Sequence, residues 1–169
     1  MDSPRRRTLV GNVATEDTML DQPPHGFTDF YRSEWTNAVR LAALITQRPS
    51  VAEDLAQDAF SQLLQRWDVV SNPTTYLRST VVNASLKWHR HTRVHSAKSH
   101  LLAQPDSVEF AGNELADAVA SLPPRQRTVL VLRYYADLSE AEIAEALGCR
   151  PGTVKSLASR ALARLKKEI

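Results

Sequence analysis

The sequence predicts an all-α fold, two small helical domains joined by a flexible linker, and three observations predict it. Apolar residues recur at helical spacing from Phe27 to Trp88 and again from Leu115 to Leu165. That periodicity lapses between Leu101 and Gly112, where Pro105 also stands. Near the end, helix start and stop signals are unusually complete. Ser139 with Glu142 makes a capping box, Gly148 suits a left-handed C-terminal cap, and Pro151 with Gly152 opens one more helix. At 169 residues, each half is long enough to bury a usable core.

The chain divides into residues 1–26, 27–94, 95–112 and 113–169. The first segment is polar, proline-bearing and aperiodic, and is expected to be a disordered N-terminal extension. The first helix comes next, with Phe27, Tyr31, Trp35, Ala38, Ala42 and Ile45 on one stripe, and ends at Arg48 and Pro49. Ser50 and Glu53 then suggest a capping box for a second helix running to about Trp67. Leu55, Ala59, Phe60, Leu63, Leu64 and Trp67 form its apolar face, and Asp54, Gln57, Asp58 and Gln62 its polar one. A loop from Asp68 to Pro73 leads to a third helix, capped by Thr74 or Thr75, that buries Leu77, Val81, Ala84 and Trp88.

Beyond the linker, Leu115, Val119 and Leu122 share a face before Pro123 and Pro124 interrupt the chain. The helix from about Arg125 to Tyr135 turns Val129, Leu132 and Tyr135 inward. Leu138 and Ile143 flank the Ser139 capping box as a hydrophobic staple, and Ile143, Ala144 and Leu147 complete a short stripe. In the last helix Val154, Ala158, Ala161, Leu162 and Leu165 face inward, whereas Lys155, Ser156, Ser159, Arg160, Arg164 and Lys167 face out.

The formal net charge of +2 announces nothing, so its distribution carries the reading. No acid occurs between Asp68 and Asp106, and none between Glu145 and Glu168. The first interval holds Arg78, Lys87, Arg90, Arg93 and Lys98, with Tyr76, Asn83 and Trp88 interleaved. Cations for phosphates, amides for base edges and rings for unpaired bases are what a nucleic-acid surface requires. The last helix is apolar behind and basic in front, and a short capped helix precedes it. That pattern suits insertion into a major groove as a helix-turn-helix.

Other classes find little support. The single cysteine, Cys149, excludes an intramolecular disulfide and fits a reducing cytoplasm. No apolar run reaches membrane-spanning length, so a cytoplasmic protein is expected. His91 and His95 share a helical spacing, but no carboxylate or cysteine nearby completes a metal shell. They and His89 and His100 are expected to add weak positive charge at lower pH instead. No nucleophile–base pair or phosphate loop can be assembled, so neither catalytic residues, metal nor cofactor are expected.

Three stretches together resemble bacterial sigma factors of the extracytoplasmic-function class: VAEDLAQDAFSQLLQRW, PTTYLRSTVVNASLKWHRH and LPPRQRTVLVLRYYADLSEAEIAEALGCRPGTVKSLASRALARL. The resemblance covers roughly Phe27 to Lys167. It implies a factor that binds core RNA polymerase and directs promoter-specific initiation, with an anti-sigma protein as a further partner class. By position it makes Asp54, Gln57 and Asp58 contacts to the clamp helices of polymerase. Asn72, Tyr76, Arg78, Asn83, Lys87, Trp88 and Arg90 become candidates for holding the melted minus-ten element, with Asn83, Lys87 and Arg90 ranked above Trp88, whose spacing with Leu77, Val81 and Ala84 suits a core role at least as well. Arg133, Lys155, Ser156, Ser159, Arg160 and Arg164 would read or grip the minus-thirty-five element.

One position departs from the resemblance. Related factors commonly carry a cation where this chain has Leu157, so either a phosphate contact is lost or Leu157 packs inward or on a thymine methyl. A rival of another class is a dimeric helix-turn-helix regulator acting without polymerase. It needs a self-complementary apolar patch, where the N-terminal half offers a basic helix.

Overall fold

Gly26 sets the start of the first helix, because its φ of 82° turns the chain in a way that favours glycine. The computed structural model describes residues 22–96 and 114–168; the N-terminal extension up to residue 21 and most of the linker lie outside the described residues. Helix α1 is Phe27–Thr46, α2 is Pro49–Leu64 and α3 is Pro73–Ser96. Across the linker come α4, Glu114–Ser121, and α5, Pro124–Leu130, which runs into a π turn at Val131–Tyr135. Helices α6, Glu140–Leu147, and α7, Pro151–Glu168, complete the chain. Among the described residues there is no strand, and the all-α expectation holds.

An aromatic cluster organises the N-terminal helices. Phe27 meets Phe60 and Trp67 edge-on, at ring separations of 6.4 and 5.2 Å, and Tyr31 lies 4.6 Å from Phe60. The Trp67 indole N–H donates to the His25 carbonyl at 3.1 Å, which satisfies its one polar group. Ala52, Ala56, Ala59 and Leu63 are fully enclosed beside it; the small alanine side chains let α2 approach α1 closely.

Several local expectations shift by a turn or less. Pro49 is the first residue of α2, so Ser50 sits within the first turn and Arg48 occupies the cap position. Pro fits there because its missing N–H would have had no helical partner. Helix α2 ends at Leu64, short of Trp67, and Leu64 itself is exposed. Asn72, not Thr74 or Thr75, caps α3: its Oδ1 accepts the Thr75 N–H at 3.0 Å. Leu77, Val81, Val82, Ser85 and Leu86 form the buried side of α3, and Ala84 and Trp88 are half-buried at its edge.

In the C-terminal half, Ala118 and Leu122 are buried and Leu115 is not. The π turn explains a larger departure. The Ala136 N–H donates to the Val131 carbonyl at 3.1 Å, a spacing one residue wider than in an α-helix. That extra residue rotates the end of the turn, so Tyr135 points out at 44% exposure beside Tyr134 at 66%, instead of inward. The expected capping box is present: the Glu142 N–H reaches Ser139 Oγ at 3.3 Å, and the Ser139 N–H reaches Glu142 Oε2 at 2.9 Å. Gly148, at φ 58°, ends α6 in the left-handed region as expected.

Val154, Ala158, Ala161 and Leu165 are the buried stripe of α7. Leu162 lies off that stripe and is 39% exposed, contrary to expectation. A small cluster of Ala118, Leu122, Leu130, Ala161 and Leu165 anchors the far end of α7 to α4 and α5. There Ser121 Oγ also donates to Glu168 Oε2 at 2.6 Å. The two halves of the chain meet: α3 packs on α5 and α6, and α1 packs on α5 and the π turn. One apolar cluster therefore continues from Leu41, Leu77 and Val81 into Leu132, Ile143 and Val154.

Candidate nucleic-acid interface

Helix α7 is held from behind by its apolar stripe and stands open in front. Lys155, Ser156, Ser159, Arg160 and Arg164 are all exposed, as the sequence pattern predicts. The turn between α6 and α7 is fixed by the Cys149 N–H donating to the Ala144 carbonyl at 2.9 Å and the Thr153 N–H donating to the Arg150 carbonyl at 2.9 Å. Ser156 Oγ donates to the Gly152 carbonyl at 2.9 Å, so its hydroxyl presents lone pairs outward and is ready to accept from a base amino group. Leu157 packs against the central apolar cluster, which resolves its unusual position: it faces the core and not the groove.

Arg133 stands apart from that row. Its guanidinium lies 3.2 Å from the Glu140 carboxylate, with both side chains 40% exposed. A surface pair of this kind is worth about 0–1 kcal/mol, so a phosphate could displace the carboxylate at little cost.

On α3 the predicted residues separate into two groups. Asn83, Lys87 and Arg90 line an open groove of about 700 Å³ between α2 and α3, and Asp58 and Gln62 face them from α2. The groove thus brings one acidic residue of the expected polymerase face beside three of the expected DNA contacts. Trp88 lines it too, half-exposed, whereas helical spacing alone assigned it to the core. What separates the two readings is the position of α2, which leaves the indole edge uncovered, and no local pattern carries that information.

Arg78 belongs to the second group. It lines a cavity of about 370 Å³ with Glu34, Thr74 and Tyr135, where α1 and α3 meet the π turn. Its charge also reaches Glu142 on α6, whose carboxyl is held below the usual range chiefly by the Ser139 hydroxyl and N–H and more weakly by Arg78. Tyr76 is half-buried at the edge of the central cluster, and Asn72 is exposed but serves as the α3 cap. On α2, Asp54, Gln57 and Asp58 are all exposed; Gln57 Oε1 accepts the Tyr31 hydroxyl at 3.3 Å, which ties it to α1.

The histidine expectation needs one correction. His89 is half-buried, and its Nε2 lies 2.9 Å from the Ile45 carbonyl. Burial lowers its pKa, the Ile45 bond partly opposes that, and the Arg127 charge lowers it further, so His89 resists carrying charge. His91 is exposed in the groove. His95 and His100 lie outside the residues whose side chains are described, and among the described residues no cluster of three or more His, Cys, Asp or Glu could hold a metal ion.

Residues 30–94 match the family model Sigma-70 region 2, and residues 112–165 match Sigma-70, region 4. The RNA polymerase sigma-E factor of Streptomyces coelicolor is 32% identical over 151 residues, covering 85% of each chain. The chain belongs to the RNA polymerase sigma factors of the extracytoplasmic-function class. This sigma factor is also 34% identical over 151 residues to the sigma-E factor of Streptomyces avermitilis, covering 85% of its own length and 84% of the relative. It is 31% identical over 157 residues to the ECF sigma factor SigM of Mycobacterium tuberculosis, at 85% and 76% coverage. Its fold matches that of Bartonella quintana RpoE, solved with the anti-sigma factor NepR, at a TM-score of 0.68 and 23% identity over 84% of this chain and 95% of that one. Like its family it is a transcription initiation factor, and no described helix is long and apolar enough to cross a membrane.

Proposed function

We propose that this sigma factor divides promoter recognition between α7, which reads duplex, and the α2–α3 groove, which holds an opened strand beside polymerase. In this reading residues 27–94 bind core enzyme and melt the minus-ten element, and residues 113–169 bind the minus-thirty-five element. The observation that carries it is the groove itself, where Asn83, Lys87, Trp88 and Arg90 from α3 stand opposite Asp58 from α2. A row of cations alone would bind duplex backbone without distinguishing an open strand. A groove walled by an indole, an amide and two cations offers a stacking face, base-edge bonds and phosphate contacts together.

The energies are compatible. Extracting a base costs a few kcal/mol, and stacking returns roughly 1–3 kcal/mol per base. Asp54 and Asp58 present carboxylates to a basic surface of polymerase, and Lys155, Ser156, Ser159 and Arg160 enter the major groove while Arg164 and Arg133 grip phosphate. Nothing in this requires bond chemistry by the factor. An anti-sigma protein belongs to the proposal as a partner class on the family resemblance.

The test is run-off transcription with purified core enzyme and the full chain on a genomic promoter library. Defined start sites that share two upstream elements are expected. Tight DNA binding without a single initiation event would overturn the reading.

A further inference from the structure

Of the residues around the cavity where α1 and α3 meet the π turn, promoter binding uses Arg78 and leaves the rest without a task. The volume of about 370 Å³ falls within the range of small-molecule sites. Glu34 and Asn37 line it from α1, Thr74 and Arg78 from α3, and Tyr135 from the π turn. Glu34 and Arg78 are half-buried, yet among the described residues no hydrogen bond or ion pair engages either side chain. Two opposite charges thus share one cavity without meeting each other. The other carboxylate that Arg78 influences, Glu142, is tied to the Ser139 hydroxyl and N–H at 2.6 and 2.9 Å, which leaves the guanidinium donors open. Leu41, Leu77 and Val81 make the rest of the lining apolar.

We infer that this cavity binds a free amino acid with an apolar side chain, held between the two halves of the chain. The ligand carboxylate pairs with Arg78, whose planar guanidinium can offer two parallel N–H groups, and the ligand ammonium pairs with Glu34. Its side chain lies against Leu41 and Leu77, while Asn37 and Thr74 supply further hydrogen-bonding groups. A ligand with one charge satisfies one wall and leaves the other unpaired. A phosphate would meet the like charge of Glu34, which disfavours a nucleotide here. The π turn adds an independent observation. Helical spacing would bury Tyr135, but the wide Ala136-to-Val131 bond turns it to the cavity, and π turns recur at functional sites.

Because α1 and α3 belong to the N-terminal half and Tyr135 to the C-terminal half, the ligand touches both and favours their contact by mass action. It also occupies Arg78. The regulatory consequence rests on the proposed promoter reading: an amino acid in the cavity competes with the opened strand for α3 and lowers initiation. The site itself rests on the cavity alone.

Calorimetry on the full chain, without DNA or polymerase, tests the site with L-leucine, L-leucinamide, N-acetyl-L-leucine, glycine and thymidine monophosphate. L-Leucine should bind with a Kd of about 1 mM or below, and each of the other probes at least about tenfold more weakly. Glu34→Gln should erase the preference over N-acetyl-L-leucine, and Arg78→Gln the preference over L-leucinamide. Absence of L-leucine binding, equal affinity for its blocked analogues, or tighter binding of thymidine monophosphate would overturn the site. Should the variants fail to fold, the ranking of the probes on the wild type decides. In run-off transcription, saturating L-leucine should lower initiation by the wild type and leave Glu34→Gln unaffected, the two being equal without it. Equal inhibition of both would overturn the regulation. Since no promoter enters the calorimetry, failed transcription would leave the site standing, and failed binding would leave the promoter assignments standing.

Discussion

Helices α3 and α7 both present a basic, acid-free surface, yet they are built in opposite ways. Helix α7 presents its exposed residues alone: its buried stripe of Val154, Ala158, Ala161 and Leu165 lies behind, its cations lie in front, and the capped α6 precedes it. Helix α3 does not present its residues alone. Asn83, Lys87 and Arg90 line one groove with Asp58 and Gln62 of α2, and Arg78 lines a cavity with residues of α1 and the π turn. The difference matches two tasks. Duplex has a preformed groove that a rigid helix can enter, whereas an unpaired strand has no fixed shape and needs walls on both sides.

That contrast can be broken at several points. The largest effect is expected from Asp58→Arg, which turns the acidic wall of the groove cationic on an exposed position. Core polymerase should no longer be retained in a pull-down while circular dichroism stays native. Retention at the wild-type level would remove Asp58 from the polymerase face.

Next comes the support of α7. Ile143 on α6 is fully buried, so Ile143→Ala should cost about 2–5 kcal/mol in urea unfolding. Minus-thirty-five binding should be lost with it. A variant as stable as the wild type would mean that α6 is not what holds α7.

Arg160→Ala should weaken binding by about 1–3 kcal/mol at one base pair of the upstream element and leave other positions unaffected. Arg164→Ala should instead weaken all sequences alike and reduce the salt slope by about one. Exchange of those two outcomes would reverse the roles of groove and phosphate contact. The smallest effect belongs to Ser139→Ala, which removes the capping box and should cost about 0.5–2 kcal/mol, read from the urea midpoint.

The same contrast explains what the sequence could disclose. The α6–α7 pair was legible because its signals are local: Ser139 and Glu142 bond each other, and Gly148 takes the left-handed cap that its missing Cβ favours. The apolar periods of α1 and α2 likewise located Phe27, Ile45 and Phe60. What escaped depends on neighbours distant in sequence for Trp88 and His89, and on local backbone geometry for Tyr135 and Asn72. Trp88 lies on the apolar side of α3 by spacing, but α2 leaves it half-covered. Tyr135 keeps the helical period of the core, but the π turn rotates it out. His89 sits in a run of cationic residues and is drawn into a contact with the Ile45 carbonyl, where burial disfavours charge. Asn72 matched a DNA-contacting position by resemblance, and its Oδ1 is already occupied by the α3 cap.

The division of labour between the two basic helices is tested most directly by permanganate reactivity of promoter thymines in complexes with core polymerase. Lys87→Ala and Asn83→Ala should leave the minus-thirty-five footprint intact and lower thymine reactivity around the minus-ten element. Arg160→Ala should weaken the upstream footprint while any complex that forms still opens. Full reactivity in the Lys87 and Asn83 variants would contradict the assignment of the opened strand to the α2–α3 groove.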